Sequence, residues 1–264
     1  MTVIDEIIKN KRISVNKAKE KKSISLIRKE AEDFSSTKNK YYRFQEKLRN
    51  KEYTNLIAEY KPASPSQGNI SKLKVEAVVS IYDKYPVDMI SVLTEESYFK
   101  SNLENLKKAE LLTEKALLRK DFVIDEYMIY EAATTNASCI LLIEGICPDM
   151  EKYLNITMDL GLDAIVECHS KRDLENVVDY DPKIIGINNR NLSNFTINLD
   201  TTRELREYVP NYLISESGVK SVSDARLLRD YGADGVLIGT SILKNKDEEK
   251  IGDYIKELKN SLKK

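Results

Sequence analysis

KIIGIN (183–188), YLISES (212–217) and GVLIG (235–239) are three short runs dominated by Ile, Leu and Val, each closing on polar or small residues. Runs of this length, apolar at nearly every position, read as strands buried on both faces. Working outward, five more runs of the same kind precede them: LIAEYK (56–61), MISVL (89–93), ALLRKDF (116–122), CILLI (139–143) and DAIVE (163–167). Their starts lie about 20 to 33 residues apart, which leaves room after each for one helix and two loops. Strands of this type alternating with helices imply a parallel sheet covered by helices. Eight such units predict an α/β protein with a closed (β/α)8 TIM barrel rather than an open doubly wound sheet, which has fewer strands and a Gly-rich first turn. Neither GxGxxG nor GxxxxGK[ST] occurs, so the dinucleotide and P-loop fingerprints are both missing.

Ahead of the first run the pattern differs. Residues 1 to about 50 are rich in Lys, Glu and Asn, and Val3, Ile4, Ile7, Ile8, Leu26, Ile27, Phe44 and Leu48 recur at helical spacing. Two or three helices are expected there, as an N-terminal extension (1–50) to a single barrel domain (51–264). The 264 residues carry 42 basic and 43 acidic side chains, 41% hydrophobic residues and only nine Gly. That composition excludes disordered and collagen-like chains. A net charge of −1 gives no general attraction to nucleic acid or to an anionic membrane, so recognition of a charged ligand must be local. No apolar run approaches the ~18 residues of a membrane span, and the opening MTVIDEIIKNKR lacks a signal-peptide core. Cys139, Cys147 and Cys168 are odd in number and form no CxxC, and there is one His, so a reducing, cytoplasmic setting without a metal site is expected.

In a barrel of this kind the site lies at the C-terminal strand ends, and residues i and i+2 of a strand share a face. The polar strand-end residues are Glu59 and Lys61, Lys120 with Phe122, Glu167 with His169, Asn188 with Arg190, and Glu216. If those faces turn inward, cations and carboxylates converge on one mouth. Packing does not need them there, and acid/base chemistry on an anion would use them. Ser217-Gly218 and Gly239-Thr240-Ser241 follow the last two strands, where small residues let backbone N–H groups approach a phosphate. The expected ligand is a phosphorylated, anionic small molecule.

IAEYKPASPSQG (57–68), ISVLTEESYF (90–99), LLRKDFVID (117–125), AIVECH (164–169), IIGINNRNL (184–192), ISESG (214–218) and VLIGTSIL (236–243) together resemble indole-3-glycerol phosphate synthase of tryptophan biosynthesis. The resemblance spans the chain and includes the helical extension, which that family places over the barrel mouth. It implies a carboxy-lyase that needs no cofactor and closes 1-(2-carboxyphenylamino)-1-deoxyribulose 5-phosphate to indole-3-glycerol phosphate, losing CO2 and water. By family position Lys120 is the acid that protonates the ribulose carbonyl oxygen. Glu167 is the base, and Lys61 is a second acid or the cation holding the substrate carboxylate. Glu59 and Lys61 pair and orient each other, while Asn188 and Arg190 bind sugar hydroxyls and hold the catalytic groups. Glu216 holds a substrate hydroxyl or tunes a lysine, and Phe99, Phe122 and Leu192 form an apolar wall. Ser64, Ser217, Gly218, Gly239 and Thr240 hold the phosphate.

His169 is expected behind Glu167 as a hydrogen-bond donor rather than as a base, and Cys168 is expected to face the helices. Tyr41-Tyr42 reads as helix surface. The sequence departs from the family pattern at Pro62, where a basic residue is frequent, and at Glu144, which adds an acid near the mouth. Two other readings share the barrel: a phosphate-ligand-binding barrel or pathway-complex subunit without turnover, and phosphoribosylanthranilate isomerase. The latter lacks the extension and uses Cys and Asp where this chain has Glu59 and Lys61. A monomer is expected, since no long exposed apolar stripe demands a partner.

Overall fold

The computed structural model describes residues 2–37, 43–191, 194–244 and 246–264. Each of the eight apolar runs forms a strand: β1 Asn55–Tyr60, β2 Met89–Leu93, β3 Ala116–Lys120, β4 Ala137–Ile143, β5 Asp163–Cys168, β6 Ile184–Asn188, β7 Tyr212–Glu216 and β8 Gly235–Ile238. Every strand pairs in parallel with its sequence neighbours, and β1 pairs with both β2 and β8, so the sheet closes on itself. The (β/α)8 barrel expected from the strand spacing is the fold.

Alternation along the strands divides the core in two. Ile57, Met89, Leu118, Leu141, Ile165, Ile184, Ile214 and Leu237 fill the barrel interior. Their neighbours, among them Leu56, Ile90, Leu117, Val166 and Cys168, face the surrounding helices.

The outer helices are α4 Val75–Lys84, α5 Leu103–Ala109, α6 Glu126–Ala133, α7 Met150–Asp159, α8 Lys171–Val177, α9 Asp200–Arg206, α10 Val222–Asp230, α11 Thr240–Leu243 and α12 Glu248–Ser261. Side chains of Asn102, Asp125, Asp149, Ser170, Ser221 and Asp247 accept first-turn backbone N–H groups, which fixes where α5, α6, α7, α8, α10 and α12 begin.

The N-terminal segment forms α1 Val3–Lys21, α2 Ile24–Thr37 and α3 Arg43–Leu48, and these take three different places. Helix α1 crosses the C-terminal end of the barrel. Its Asn10 Nδ2 donates to Ser97 Oγ at 3.2 Å, and its Lys11 Nζ reaches Asp121 Oδ1 at 3.0 Å. Helix α2 packs on the flank against α6. Helix α3 lies at the opposite end: the backbone N–H of Phe44 donates to Asp163 Oδ2 at 2.9 Å, and Asp163 is the first residue of β5. Phe44 and Leu48 plug the bottom of the interior core. Of the extension, α1 therefore covers the mouth and α3 closes the floor. Tyr41 and Tyr42 fall outside the described residues.

Candidate active site

A cavity of about 460 Å³ opens at the C-terminal strand ends, beneath α1. Its floor follows from strand alternation, because the interior position after Ile57, Leu118, Ile165 and Ile214 is Glu59, Lys120, Glu167 and Glu216. Asn188 sits level with Glu216 in the sheet register. Lys120 Nζ stands 3.1 Å from Glu216 Oε2 and 3.4 Å from Glu167 Oε2. Asn188 Nδ2 donates to Glu167 Oε1 at 2.9 Å. Lys61 Nζ pairs with Glu59 Oε1 at 2.6 Å.

Burial and charge act against each other on this cluster. Burial favours neutral Lys120, but Glu216, Glu167 and Glu59 outweigh it and hold the ammonium above its ordinary value. Burial likewise pushes Glu167 up, and Lys120, His169 and Asn188 reverse the sign, leaving Glu167 well below the usual carboxylate range. Glu216 is the reverse case. Burial raises it, Lys120 lowers it and the neighbouring Glu167 raises it again, so its carboxyl is pushed up to about 7. One buried ammonium thus serves two carboxylates of opposite character.

The remaining wall has two parts. Phe99 and Phe122 stand with ring centroids 6.2 Å apart and tilted by 44°, and Leu141 and Ile143 continue the apolar side. Opposite them, Ser64, Ser217, Gly218, Gly239 and Thr240 line a small-residue face. Ser217 (φ 65°) and Gly218 (φ 96°) are consecutive left-handed residues. A Cβ at residue 218 would lie 2.6 Å from Leu199 Cδ2, so glycine is required there. Gly239 precedes the short α11, whose first N–H groups have no helical acceptor. Arg190, Lys220, Lys244 and Lys246 also line the cavity, and among the described residues none of the four forms an ion pair. A polyanionic ligand fits that side.

The strand-end residues read from the sequence other than His169, with Ser64, Phe99 and the Ser217–Gly218 and Gly239–Thr240 turns, border this one cavity. Leu192 lies outside the described residues. His169 is not on the cavity wall; its Nε2 lies 3.2 Å from Glu167 Oε1, on the far side of that carboxylate. Glu144 is also off the wall and accepts a hydrogen bond from Asn176 Nδ2 at 3.0 Å. It therefore adds no charge to the ligand's surface. The carbonyl of Pro62 accepts from Ile70 N at 2.8 Å, beside the small hairpin of Ala63–Ser64 and Gly68–Asn69 that borders the mouth.

Sequence reasoning missed Ile4 and Ile7 from α1, Phe195 and Ile197 from the loop after β6, and Lys220, Lys244 and Lys246. Only the helical spacing of Ile4 and Ile7 was a signal. Among the described residues no group of three or more His, Cys, Asp and Glu is placed to hold a metal, and no helix is long and apolar enough to cross a membrane.

Residues 4–257 match the family model described as indole-3-glycerol phosphate synthase. The chain is similar to the indole-3-glycerol phosphate synthase of Thermoanaerobacter sp., 37% identical over 262 residues that cover 97% of this chain and 98% of that one. It is also similar to the enzyme of the same name from Clostridium kluyveri, 43% identical over 209 residues covering 77% and 80%. Among solved structures, the thiamine phosphate pyrophosphorylase from Pyrococcus furiosus superimposes with a TM-score of 0.61 at 15% identity, covering 83% of this chain and 96% of that one. That likeness is one of barrel fold alone. The family match across nearly the whole chain and the full-length relatives establish that this protein belongs to the indole-3-glycerol phosphate synthase family.

Proposed function

We propose that this chain closes 1-(2-carboxyphenylamino)-1-deoxyribulose 5-phosphate to indole-3-glycerol phosphate, releasing CO2 and water, as a carbon–carbon lyase of the cytoplasm. The observation that carries the reading is the Lys120 ammonium, held between Glu167 and Glu216 within a cavity that has an apolar wall on one side and, on the other, cations with no ion-pair partner among the described residues.

The aryl carbon bearing the carboxylate attacks the ribulose carbonyl, and Lys120 gives that oxygen its proton. A buried ammonium backed by carboxylates stays charged at neutral pH, so the donor is loaded before substrate arrives. Loss of CO2 restores the aromatic ring. The hydroxyl then leaves as water, with Glu167 taking the carbon-bound proton and Lys61 the second donor or the partner of the substrate carboxylate. Glu59 keeps Lys61 aligned across 2.6 Å. Asn188 holds Glu167, Arg190 and Glu216 face the sugar, and Phe99 and Phe122 flank the aryl ring. Ser64 with the Ser217–Gly218 and Gly239–Thr240 turns takes the phosphate. Closing α1 and the hairpin over the ligand keeps water from the intermediate.

The test is to mix the purified chain with the carboxyphenylamino substrate, follow indole fluorescence and identify the product by mass. A rise that disappears in Lys120→Met and falls at least a hundredfold in Glu167→Gln is expected. A flat trace with folded protein overturns the proposal.

A further inference from the structure

His169, the only imidazole of the chain, is half-buried and off the cavity wall. It follows β5 two residues after Glu167. Its backbone N–H donates to Asp173 Oδ2 of α8 at 2.7 Å, and its Nδ1 lies 3.9 Å from the same oxygen. Its Nε2 reaches Glu167 Oε1 at 3.2 Å. Asn188 Nδ2 approaches that same Oε1 at 2.9 Å, whereas Oε2 faces Lys120 at 3.4 Å. The two oxygens of Glu167 are therefore divided: Oε1 accepts a hydrogen bond from Asn188 and has His169 Nε2 within 3.2 Å, and Oε2 stands beside Lys120.

Charge counting points the same way. Two buried carboxylates, Glu167 and Glu216, meet the single ammonium of Lys120. Such a cluster is relieved in two ways, by a proton on Glu216, whose carboxyl is pushed up to about 7, and by a further N–H donor beside Glu167. Asp173 adds another acid from α8. Lys171 of α8 lies over the Tyr208 ring, 4.2 Å from its centroid, and among the described residues Glu167 has no cationic partner besides Lys120 and His169.

We propose that His169 is a positioning residue for Glu167, fixing its Oε1 from the side away from the ligand. The role of Glu167 as base rests on the reaction proposed above. Burial favours the neutral imidazole, but Glu167, Asp173 and Glu216 outweigh it, so the ring binds its proton more tightly than an ordinary histidine.

Because the chain has one histidine, proton NMR of the full-length protein reads that ring without assignment. The imidazole is expected to titrate above its ordinary value of 6.5 and to fall by at least one pH unit in Glu167→Gln. The same titration in both proteins, or a native value at or below ordinary, overturns the proposal. This arm needs no turnover, so it stays readable if the reaction assignment fails.

The second arm is kinetic. His169→Gln, which keeps an N–H donor but cannot titrate, should lose about tenfold in kcat and His169→Ala about a hundredfold, each with KM within twofold. In both, the acid limb of kcat should move up, because Glu167 loses the neighbouring group that helps hold its carboxyl down. Unchanged kcat and an unchanged pH profile in both variants overturn the proposal.

Discussion

Gly186 on β6 and Glu216 on β7 are fitted to one another: a Cβ added at residue 186 would lie 2.4 Å from Glu216 Oε1 and 2.8 Å from Ile165 Cγ2. Residue 186 faces the interior, level with Glu167 and Ile214 in the sheet. The missing side chain is the space the Glu216 carboxylate occupies beside Lys120. Gly186→Ala should drive that carboxylate from its 3.1 Å contact, lowering kcat at least tenfold. Overpacking should also cost about 1–3 kcal/mol in urea unfolding. Native turnover together with native stability would refute the fit.

Glu216 also sets a stability signature. Folding raises its pKa from 4.5 to about 7, so the fold favours the neutral acid. The stability this provides is complete below pH 4.5 and is lost as the pH rises through 7. At pH 8 the ionised side chain is a burden, and Lys120 retains Glu167 without it. Glu216→Gln should therefore be more stable than the native chain at pH 8, by on the order of 2 kcal/mol, and show little gain at pH 4. Its turnover should fall. Equal melting curves at pH 8 would contradict the raised pKa.

The eight strands were legible because strands buried on both faces become continuous Ile, Leu and Val runs. Boundaries blurred where chemistry changed: β4 begins at Ala137, two residues ahead of CILLI, since Ala137 and Ser138 carry no strand signal. The floor of the site was legible for a related reason. Period-two alternation aligns Glu59, Lys120, Glu167 and Glu216 without any knowledge of distant contacts. What escaped depends on those contacts. Ile4 and Ile7 line the cavity only because α1 folds across the barrel mouth. The seating of α3 on Asp163 at the opposite end, and the space at Gly186 that admits Glu216, likewise join residues far apart in the chain. Lys244 and Lys246 border the cavity because the chain turns at Gly239.

Those two lysines give a prediction of their own. Lys244 Nζ donates to Gln67 Oε1 at 2.9 Å, joining the turn after β8 to the hairpin after β1. Lys246 is half-buried, and burial alone holds its ammonium below the ordinary lysine value. The absence of a carboxylate partner for either, among the described residues, leaves both charges free to meet a ligand dianion. Lys244→Gln combined with Lys246→Gln should raise KM about tenfold, roughly 1.4 kcal/mol, with kcat within twofold. The increase should shrink as salt is added, because exposed charges are screened. A KM unaltered at low salt would show that the two cations do not meet the ligand.

Lys11 joins α1 to the site itself. It is 3% exposed, and its Nζ lies 2.8 Å from Glu96 Oε2 and 3.0 Å from Asp121 Oδ1. Asp121 stands between Lys120 and Phe122 in the chain. It accepts from Thr94 Oγ1 at 2.6 Å and from the Phe122 N–H at 2.8 Å, so the same carboxylate shapes the turn that carries both site residues. Lys11→Met keeps the length of the side chain but leaves Asp121 buried with, among the described residues, only Arg119 Nη2, 3.7 Å away, as a cation. Breaking a buried pair from one side costs about 3 kcal/mol, and the loss should appear in urea unfolding. Removing both charges should cost less than the sum of the two single changes, since Asp121→Asn no longer strands an ion. Activity should follow the helix: with α1 loosened, the wall made by Ile4 and Ile7 opens and KM rises. Strict additivity in the double-mutant cycle would mean that the two charges are neighbours without being coupled.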